Sequence, residues 1–505
     1  MTDPQSGEPR PSRPSARELM AAVFDEGSTD FWDGPPVPVA PPGSPYAEEL
    51  AAAAERAGTD ESIITGSARI HGRPVAFVVG EFRFLAGSIG QAAAERIVLA
   101  FERATREGLP LFAAPTSGGT RMQEGTPAFV GMVKISSAVA DFKAARLPYI
   151  TYLRHPTTGG AFASWGSLGH VTVAEPGATI GFLGARVYEA LYGQPFPANV
   201  QTAENLYAHG LLDAVLPKEA LAETAERFLD LVLSPRELTP IEPVPMEDLP
   251  DVPAWDSIQR SRRPDRPGVR ALLRLGATDV LPLSGTGAGE TDRTMLLALA
   301  KFEGAACVVL GQDRRAEASD KPLSPSGLRI ARRGMRLAEE LGMPLVSVID
   351  TAGAALSKEA EEGGMAGEIA RSLADLVTLD VPTLCVLLGQ GTGGGALALM
   401  PADRVISALH SWLSPLPPEG ASAILFRSTD RAAELATQQR VRALDLLEDG
   451  IIDRIVAERP DAADEPEEFC RRMANAIRHA LGELSRIPPA SRQARRHERW
   501  RRLGL

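Results

Sequence analysis

The chain has 505 residues, is 44% hydrophobic and carries a net charge of −12. That length suits two domains with flanking segments rather than one core, and the acidic balance argues against general nucleic-acid affinity. No apolar run reaches membrane-span length. The three cysteines, Cys307, Cys385 and Cys470, are scattered without a CxxC pair, which leaves no cysteine zinc ribbon and no disulfide framework and suits a reducing cytoplasm.

Met1–Pro14 is polar and Pro-rich, so it reads as disordered and not as a signal peptide. Ser15 with Glu18 three residues on is a capping box for a helix through about Phe24. Gly34–Pro45 holds six prolines and is expected to be extended and irregular. Alternation across Ser67–Val79 predicts a hairpin turned at His71-Gly72-Arg73. A helix is predicted over Gln91–Glu107, ended by Gly108, and then a strand over Leu111–Ala114 leading into Ser117-Gly118-Gly119. A helix carrying Met132, Ile135, Ala138 and Val139 follows, then a strand Tyr149–Leu153 that leads into Thr157-Thr158-Gly159-Gly160.

The second half repeats this order. A helix at Arg329–Leu341 precedes a strand Leu345–Ile349, and one at about Gly367–Thr378 precedes a strand Thr383–Leu388. Pro110 and Pro344 open matching strands 234 residues apart, and Pro148 and Pro382 are again 234 apart. Gly210 and Gly450, in His209-Gly210-Leu211-Leu212-Asp213 and Asp449-Gly450-Ile451-Ile452-Asp453, are 240 apart. So steady an offset indicates two copies of one α/β domain built from βαβ units. The domains are expected at 61–234 and 269–460. They are flanked by a disordered 1–60 tail with a short helix, a 235–268 linker with a short helix at Ala254–Ser261, and a C-terminal helix and basic tail at 461–505. Arg492, Arg495, Arg496, Arg499, Arg501 and Arg502 make that tail basic, read as a solvated helix end or disordered segment.

Each copy carries two glycine turns that follow strands and precede helical sequence. Glycine permits positive φ and close approach of a ligand, and N–H groups at a helix start are unpaired. Two such turns could converge on one oxygen as an oxyanion hole, where each donor contributes roughly 2.7–4 kcal/mol to the transition state. The bland alternative is a set of tight turns. Gly389-Gln390-Gly391-Thr392-Gly393-Gly394 fits G-x-G-x-x-G, but no acidic residue follows at the required distance, so it is not read as a dinucleotide site. No phosphate loop, nucleophile elbow or metal-ligand spacing is present, so no metal is expected, and the sequence offers no side-chain acid–base or nucleophile constellation.

Longer motifs carry a resemblance. Gly87-Ser88-Ile89-Gly90, Ser117-Gly118-Gly119-Thr120-Arg121-Met122-Gln123-Glu124-Gly125, Pro156-Thr157-Thr158-Gly159-Gly160 and Ala174-Glu175-Pro176-Gly177-Ala178 resemble the β subunit of bacterial acetyl-CoA carboxylase carboxyltransferase. Arg263-Pro264-Asp265-Arg266-Pro267, Ile349-Asp350-Thr351-Ala352-Gly353-Ala354, Gly393-Gly394-Gly395-Ala396-Leu397 and Pro418-Glu419-Gly420 resemble its α subunit. The resemblance implies tandem crotonase-like (ClpP/crotonase) domains, each a spiral of ββα units. It implies transfer of a carboxyl group from carboxybiotin to acetyl-CoA or a related short acyl-CoA, for fatty acid or polyketide synthesis. By the same resemblance, Gly118, Gly119, Gly159 and Gly160 serve the acyl-CoA side. Gly353, Ala354, Gly394, Gly395 and Ala396 serve the biotin side, and Arg121 and Lys134 are candidates for CoA phosphates. The site is implied to lie between the N-half of one chain and the C-half of another in a homodimer or higher homo-oligomer. No biotin attachment motif is present, so the biotin carboxyl carrier protein and biotin carboxylase are expected on separate chains.

The chain departs from the family pattern in four places. It lacks the zinc ribbon, His155 replaces an Asp, Ala352 replaces a common Lys, and Trp412-Leu413 replaces a tyrosine pair. The segment Gly276–Glu317 matches poorly. Two rival readings are a malonyl-thioester decarboxylase and a non-catalytic assembly subunit.

Overall fold

The computed structural model describes residues 15–236, 238, 249–319 and 322–503. The expected disorder of 1–14 and most of the Pro-rich part of the linker therefore lie outside the described residues. Two compact units emerge. One contains the described residues up to Asp230 together with Gly287–Gly289, and the other contains Leu231–Thr286 and the described residues from Glu290 onward.

The first unit's strands are β1 (Asp30–Phe31), β2 (Ile63–Ile70), β3 (Arg73–Gly80), β4 (Leu111–Ala114), β5 (Tyr149–Leu153), β6 (Thr157–Thr158), β7 (Val171–Ala174), β8 (Ile180–Gly181) and β9 (Ala214–Val215). Among the described residues its main sheet has the order β1-β2-β3-β4-β5-β7-β9. β2 and β3 form the expected hairpin, turned at His71 and Gly72, whose φ values of 46° and 80° suit the twist of antiparallel strands. From β3 onward the sheet is parallel. Helices Gln91–Glu107 and Gly125–Ala144 pack together beside it, with Phe101, Phe142 and Tyr149 edge-on at 5.2–6.2 Å between ring centres.

The second unit has β10 (Asp279–Leu283), β11 (Met295–Phe302), β12 (Ala305–Gln312), β13 (Leu345–Thr351), β14 (Thr383–Thr392), β15 (Arg404–Ala408), β16 (Trp412–Ser414) and β17 (Arg454–Val456). Its order, β10-β11-β12-β13-β14-β15-β17 with β16 alongside β14, repeats that of the first unit. The register repeats too: Leu111 faces Tyr149, and Leu345 faces Thr383. The central strands β5 and β13 are buried along their whole length, so neither shows the alternation of a strand with one face in water. Among the described residues no helix is long and apolar enough to cross a membrane.

Three expectations are corrected. Residues 16–57 are not a disordered tail: besides the capped helix Ala16–Val23 they hold β1 and a helix Pro45–Ala57, started by Ser44 and ended at Gly58. Ala254–Ser261 is indeed a helix, but it is not a free linker. Ala254 and Ile258 pack on Trp412, whose indole N–H donates to Ser261 Oγ at 2.9 Å. The basic tail is a docked helix, Pro489–Arg501, after the long helix Pro466–Leu484.

Arg496 holds that last helix in place. It is 1% exposed and donates to both oxygens of Asp403, at 2.8 and 2.9 Å. Its remaining N–H groups take the carbonyls of Leu376, Leu379 and Val381 at 2.9–3.0 Å. These lie at the C-terminus of helix Met365–Thr378, where unpaired carbonyls favour a cation. Asp403 in turn accepts from the Thr383 N–H that opens β14. Arg496→Ala would leave the buried Asp403 carboxylate with only Arg492 at 3.7 Å and the Thr383 donors, and is expected to cost about 3 kcal/mol, with Arg496→Lys failing to restore it because the fork is lost. Urea denaturation of the full chain measures this.

Candidate active site

The four glycine turns come together in pairs, one pair per unit. In the first unit, Ser117 bridges Thr157 in parallel fashion, extending the β4–β5 pairing past the strand ends. Ser117 N–H donates to Pro156 O at 2.7 Å and Thr158 N–H to Ser117 O at 2.9 Å. The turns then touch glycine to glycine: a Cβ on Gly159 would lie 3.1 Å from Gly119 Cα. Gly119 (φ 116°) and Gly159 (φ 64°) take conformations that other residues rarely adopt.

The hydrogen bonds correct which amides are available. Gly118 N–H is taken by Ala86 O at 2.9 Å, Gly159 N–H by Gly181 O at 3.1 Å, and Gly119 N–H by Ser117 Oγ at 3.0 Å. The N–H groups of Thr120 and Gly160 have no acceptor among the described residues. They are close, since a Cβ on Gly160 would lie 3.3 Å from Thr120 Oγ1. Gly118, Gly119 and Gly159 therefore shape the site, whereas Gly160 and Thr120 present free donors to it.

The second unit repeats the device. Gly353 (φ 132°) gives its N–H to Thr351 Oγ1 at 3.0 Å, as Gly119 does to Ser117. Gly394 and Gly395 lie in the first turn of the short helix Gly393–Leu397, whose N–H groups have no intrahelical partner, and Ala396 is buried behind them. Ala354 N–H is also without an acceptor among the described residues. A Cβ on Gly395 would lie 3.2 Å from Ala354 N, so the two donors are neighbours. Gly353 is thus a shaping residue and Ala354 and Gly395 the donors. A cleft of about 820 Å³ opens beside this turn, lined by Asp292, Ser324, Arg329, Ala355, Leu356 and Ser357 among others.

The surrounding motifs brace the turns. Arg121 is fully buried, and its guanidinium donates to Glu61 Oε2 at 2.9 Å, Glu124 Oε1 at 3.2 Å and Ser88 O at 2.8 Å. That corrects its reading as a phosphate partner: it is a structural cation that pins Gly87-Ser88-Ile89-Gly90 against the first turn. Lys134 is 42% exposed and paired with Glu95. In the second unit, fully buried Arg266 holds Glu458 Oε1 at 2.7 Å and Leu388 O at 3.1 Å. Gly389 is glycine because a Cβ there would meet the Asp350 carboxylate at 2.3 Å, so the G-x-G-x-x-G match is strand packing and not a nucleotide loop.

His155, at the departure from Asp, accepts the Thr179 N–H on Nδ1 at 3.1 Å, a role open to a carboxylate as well. The hydroxyl two residues before each first-turn glycine, at Ser117 and Thr351, was visible in the sequence but was not singled out. No group of His, Cys, Asp and Glu among the described residues could hold a metal ion.

The carboxyl transferase domain family matches residues 36–494. The probable biotin-dependent acyl-coenzyme A carboxylase beta3 subunit of Mycobacterium tuberculosis is 59% identical over 98% of this chain and 99% of its own. The acetyl-coenzyme A carboxylase carboxyl transferase subunits beta/alpha of a Parafrankia strain are 35% identical over 98% of this chain and 86% of their own. Among solved structures, transcarboxylase 12S with methylmalonyl-coenzyme A bound superposes with a TM-score of 0.74 at 20% identity, covering 94% of this chain and 90% of that one. A single-chain, multi-domain long-chain acyl-CoA carboxylase gives 0.70 at 19% identity, covering 90% of this chain and 45% of that one. The fold is therefore crotonase-like in both units. With the match running through both pairs of glycine turns, the chain belongs to the carboxyl transferase domain family.

Proposed function

We propose that this protein is a biotin-dependent carboxyltransferase that moves a carboxyl group from carboxybiotin, carried on a separate protein, to acetyl-CoA or a related short acyl-CoA. The observation that carries the reading is the pairing of unclaimed backbone donors, once in each unit. Carboxybiotin, when bound, supplies both the carboxyl group and a basic nitrogen, so the protein is left with the task of holding oxygens that gain negative charge. Thr120 and Gly160 N–H would hold the thioester oxygen, and Ala354 and Gly395 N–H the ureido oxygen. The cleft beside Ala355 is of ligand size. The names of the relatives support an acyl-CoA acceptor, and that of the 12S structure, which mentions a hexamer, supports an oligomer; in the proposed reading, the site is shared between chains of a homo-oligomer. The carrier and biotin carboxylase would be separate partners. The three buried free thiols suit the cytoplasm.

The deciding assay supplies carboxylated carrier and a series of acyl-CoAs to the full chain and measures carboxylated acyl-CoA. Turnover is expected, with the chain-length preference naming the acceptor. CO2 release from malonyl thioester without carrier would favour a decarboxylase, and no binding or turnover of either substrate an assembly subunit.

Gly160→Val should lower transfer about 10²–10³-fold by shielding its N–H, while the flexible Met132, 3.0 Å from the new Cβ, gives way and the fold persists. Gly395→Val should fail similarly, but in the carrier half of the reaction. A folded Gly160→Val protein with near-normal rate would defeat the donor assignment. Light scattering should find an active oligomer; an active monomer would refute the shared site.

A further inference from the structure

The two first turns are held by different acceptors. In the first unit, Gly118 N–H goes to a backbone carbonyl, Ala86 O, at 2.9 Å. Its counterpart 234 residues on, Ala352 N–H, goes instead to a side chain, Glu317 Oε2, at 3.2 Å. Glu317 sits on the short helix Arg314–Ser319, in the stretch where the resemblance is weakest. Its other oxygen, Oε1, is buried and has no hydrogen-bond partner among the described residues. A neutral, permanent acceptor in one copy has thus been replaced by an ionisable one in the other. Ala352 lies two residues before Ala354, one of the two free donors of the second site.

We propose that Glu317 is a positioning residue of the second site: its carboxylate anchors the Thr351-Ala352-Gly353-Ala354 turn, and its protonation loosens that anchor. The inference rests on the reading of this turn as the carboxybiotin side. The charged groups around Glu317 favour titration near neutrality. Asp350 on β13 and Asp292 ahead of β11 are like charges, and Arg314 on its own helix is committed to Asp350 at 3.4 Å and to the Arg263 carbonyl at 3.2 Å. Burial pushes the Glu317 carboxyl up to about 7, against the Thr351 hydroxyl and the Ala352 N–H, which pull it down, and those two acidic neighbours push it the same way as burial.

A neutral acceptor makes a weaker bond than a carboxylate, so acid should weaken the anchor. The test compares wild type with Glu317→Gln from pH 6 to 9, using carboxylated carrier and acyl-CoA. Wild-type kcat/KM for the carrier should fall about tenfold below an inflection near 7, whereas Glu317→Gln should stay at the acid-limb level throughout. The KM for acyl-CoA should stay within about twofold in both. An inflection that survives in Glu317→Gln, or an equal shift in the acyl-CoA KM, overturns the proposal.

A second readout needs no turnover. A folded-state pKa raised above the ordinary 4.5 gives stability that is full below 4.5 and lost as pH rises through about 7. The wild-type Tm should therefore decline relative to Glu317→Gln between those values and run parallel above them. The protection factor of the Ala352 amide should rise through the same inflection in wild type only. Parallel Tm curves with pH-independent Ala352 protection refute the proposal. Absence of any transfer from carrier, with the Tm and exchange differences intact, refutes the functional reading instead.

Discussion

A backbone amide can stabilise an oxyanion only if nothing else in the protein has claimed it, and a buried N–H left unclaimed is costly. Both glycine turns resolve this conflict in the same way. Neighbouring amides are consumed by specific acceptors: carbonyls for Gly118 and Gly159, a carboxylate for Ala352, and the hydroxyls of Ser117 and Thr351 for Gly119 and Gly353. Of the donors that remain, Thr120, Gly160 and Ala354 stand at partly exposed turns, whereas Gly395 is buried. The glycines fix the path of the chain, and the residues beside them present the N–H. Arg121 and Arg266, both fully buried, serve that constraint by tying the braces behind the turns to buried carboxylates and carbonyls.

The duplication shows which parts of the device are fixed and which are free to change. Sheet order, central register, the hydroxyl two residues before glycine, and positive φ at Gly119 and Gly353 recur in both units. The acceptor for the first amide of the turn does not recur. Geometry at the turn tolerates any acceptor at the right distance, so its chemical character was able to diverge between the copies.

Much of the fold was legible because the strongest signals are local. Gln91–Glu107, Leu111–Ala114, Tyr149–Leu153 and Ala254–Ser261 fall where periodicity and punctuation place them. The helix Pro45–Ala57 was hidden by the prolines before it, although Ser44 and Pro45 are sound start signals. Charge misled most. Arg121 reads in the sequence as a candidate for CoA phosphates and Arg496 as part of a solvated tail, because sequence shows the cation but not the distant carboxylates, Glu61 and Asp403, that allow each to be buried. At the site, the glycines announced the turns. Which amides stay free depends on acceptors distant in the chain, such as Glu317, 35 residues from Ala352, and no local pattern carries that.

The clasp between Arg496 and Asp403 also has a consequence for the order of synthesis. The first unit is complete, apart from Gly287–Gly289, once Asp230 has been made. Domains generally fold as units, the N-terminal one first. The contact that seals the start of β14 cannot form until residue 496 has left the ribosome, 93 positions after its partner. Throughout the making of the second copy, the first can stand finished while the second waits with a buried-to-be carboxylate still in water.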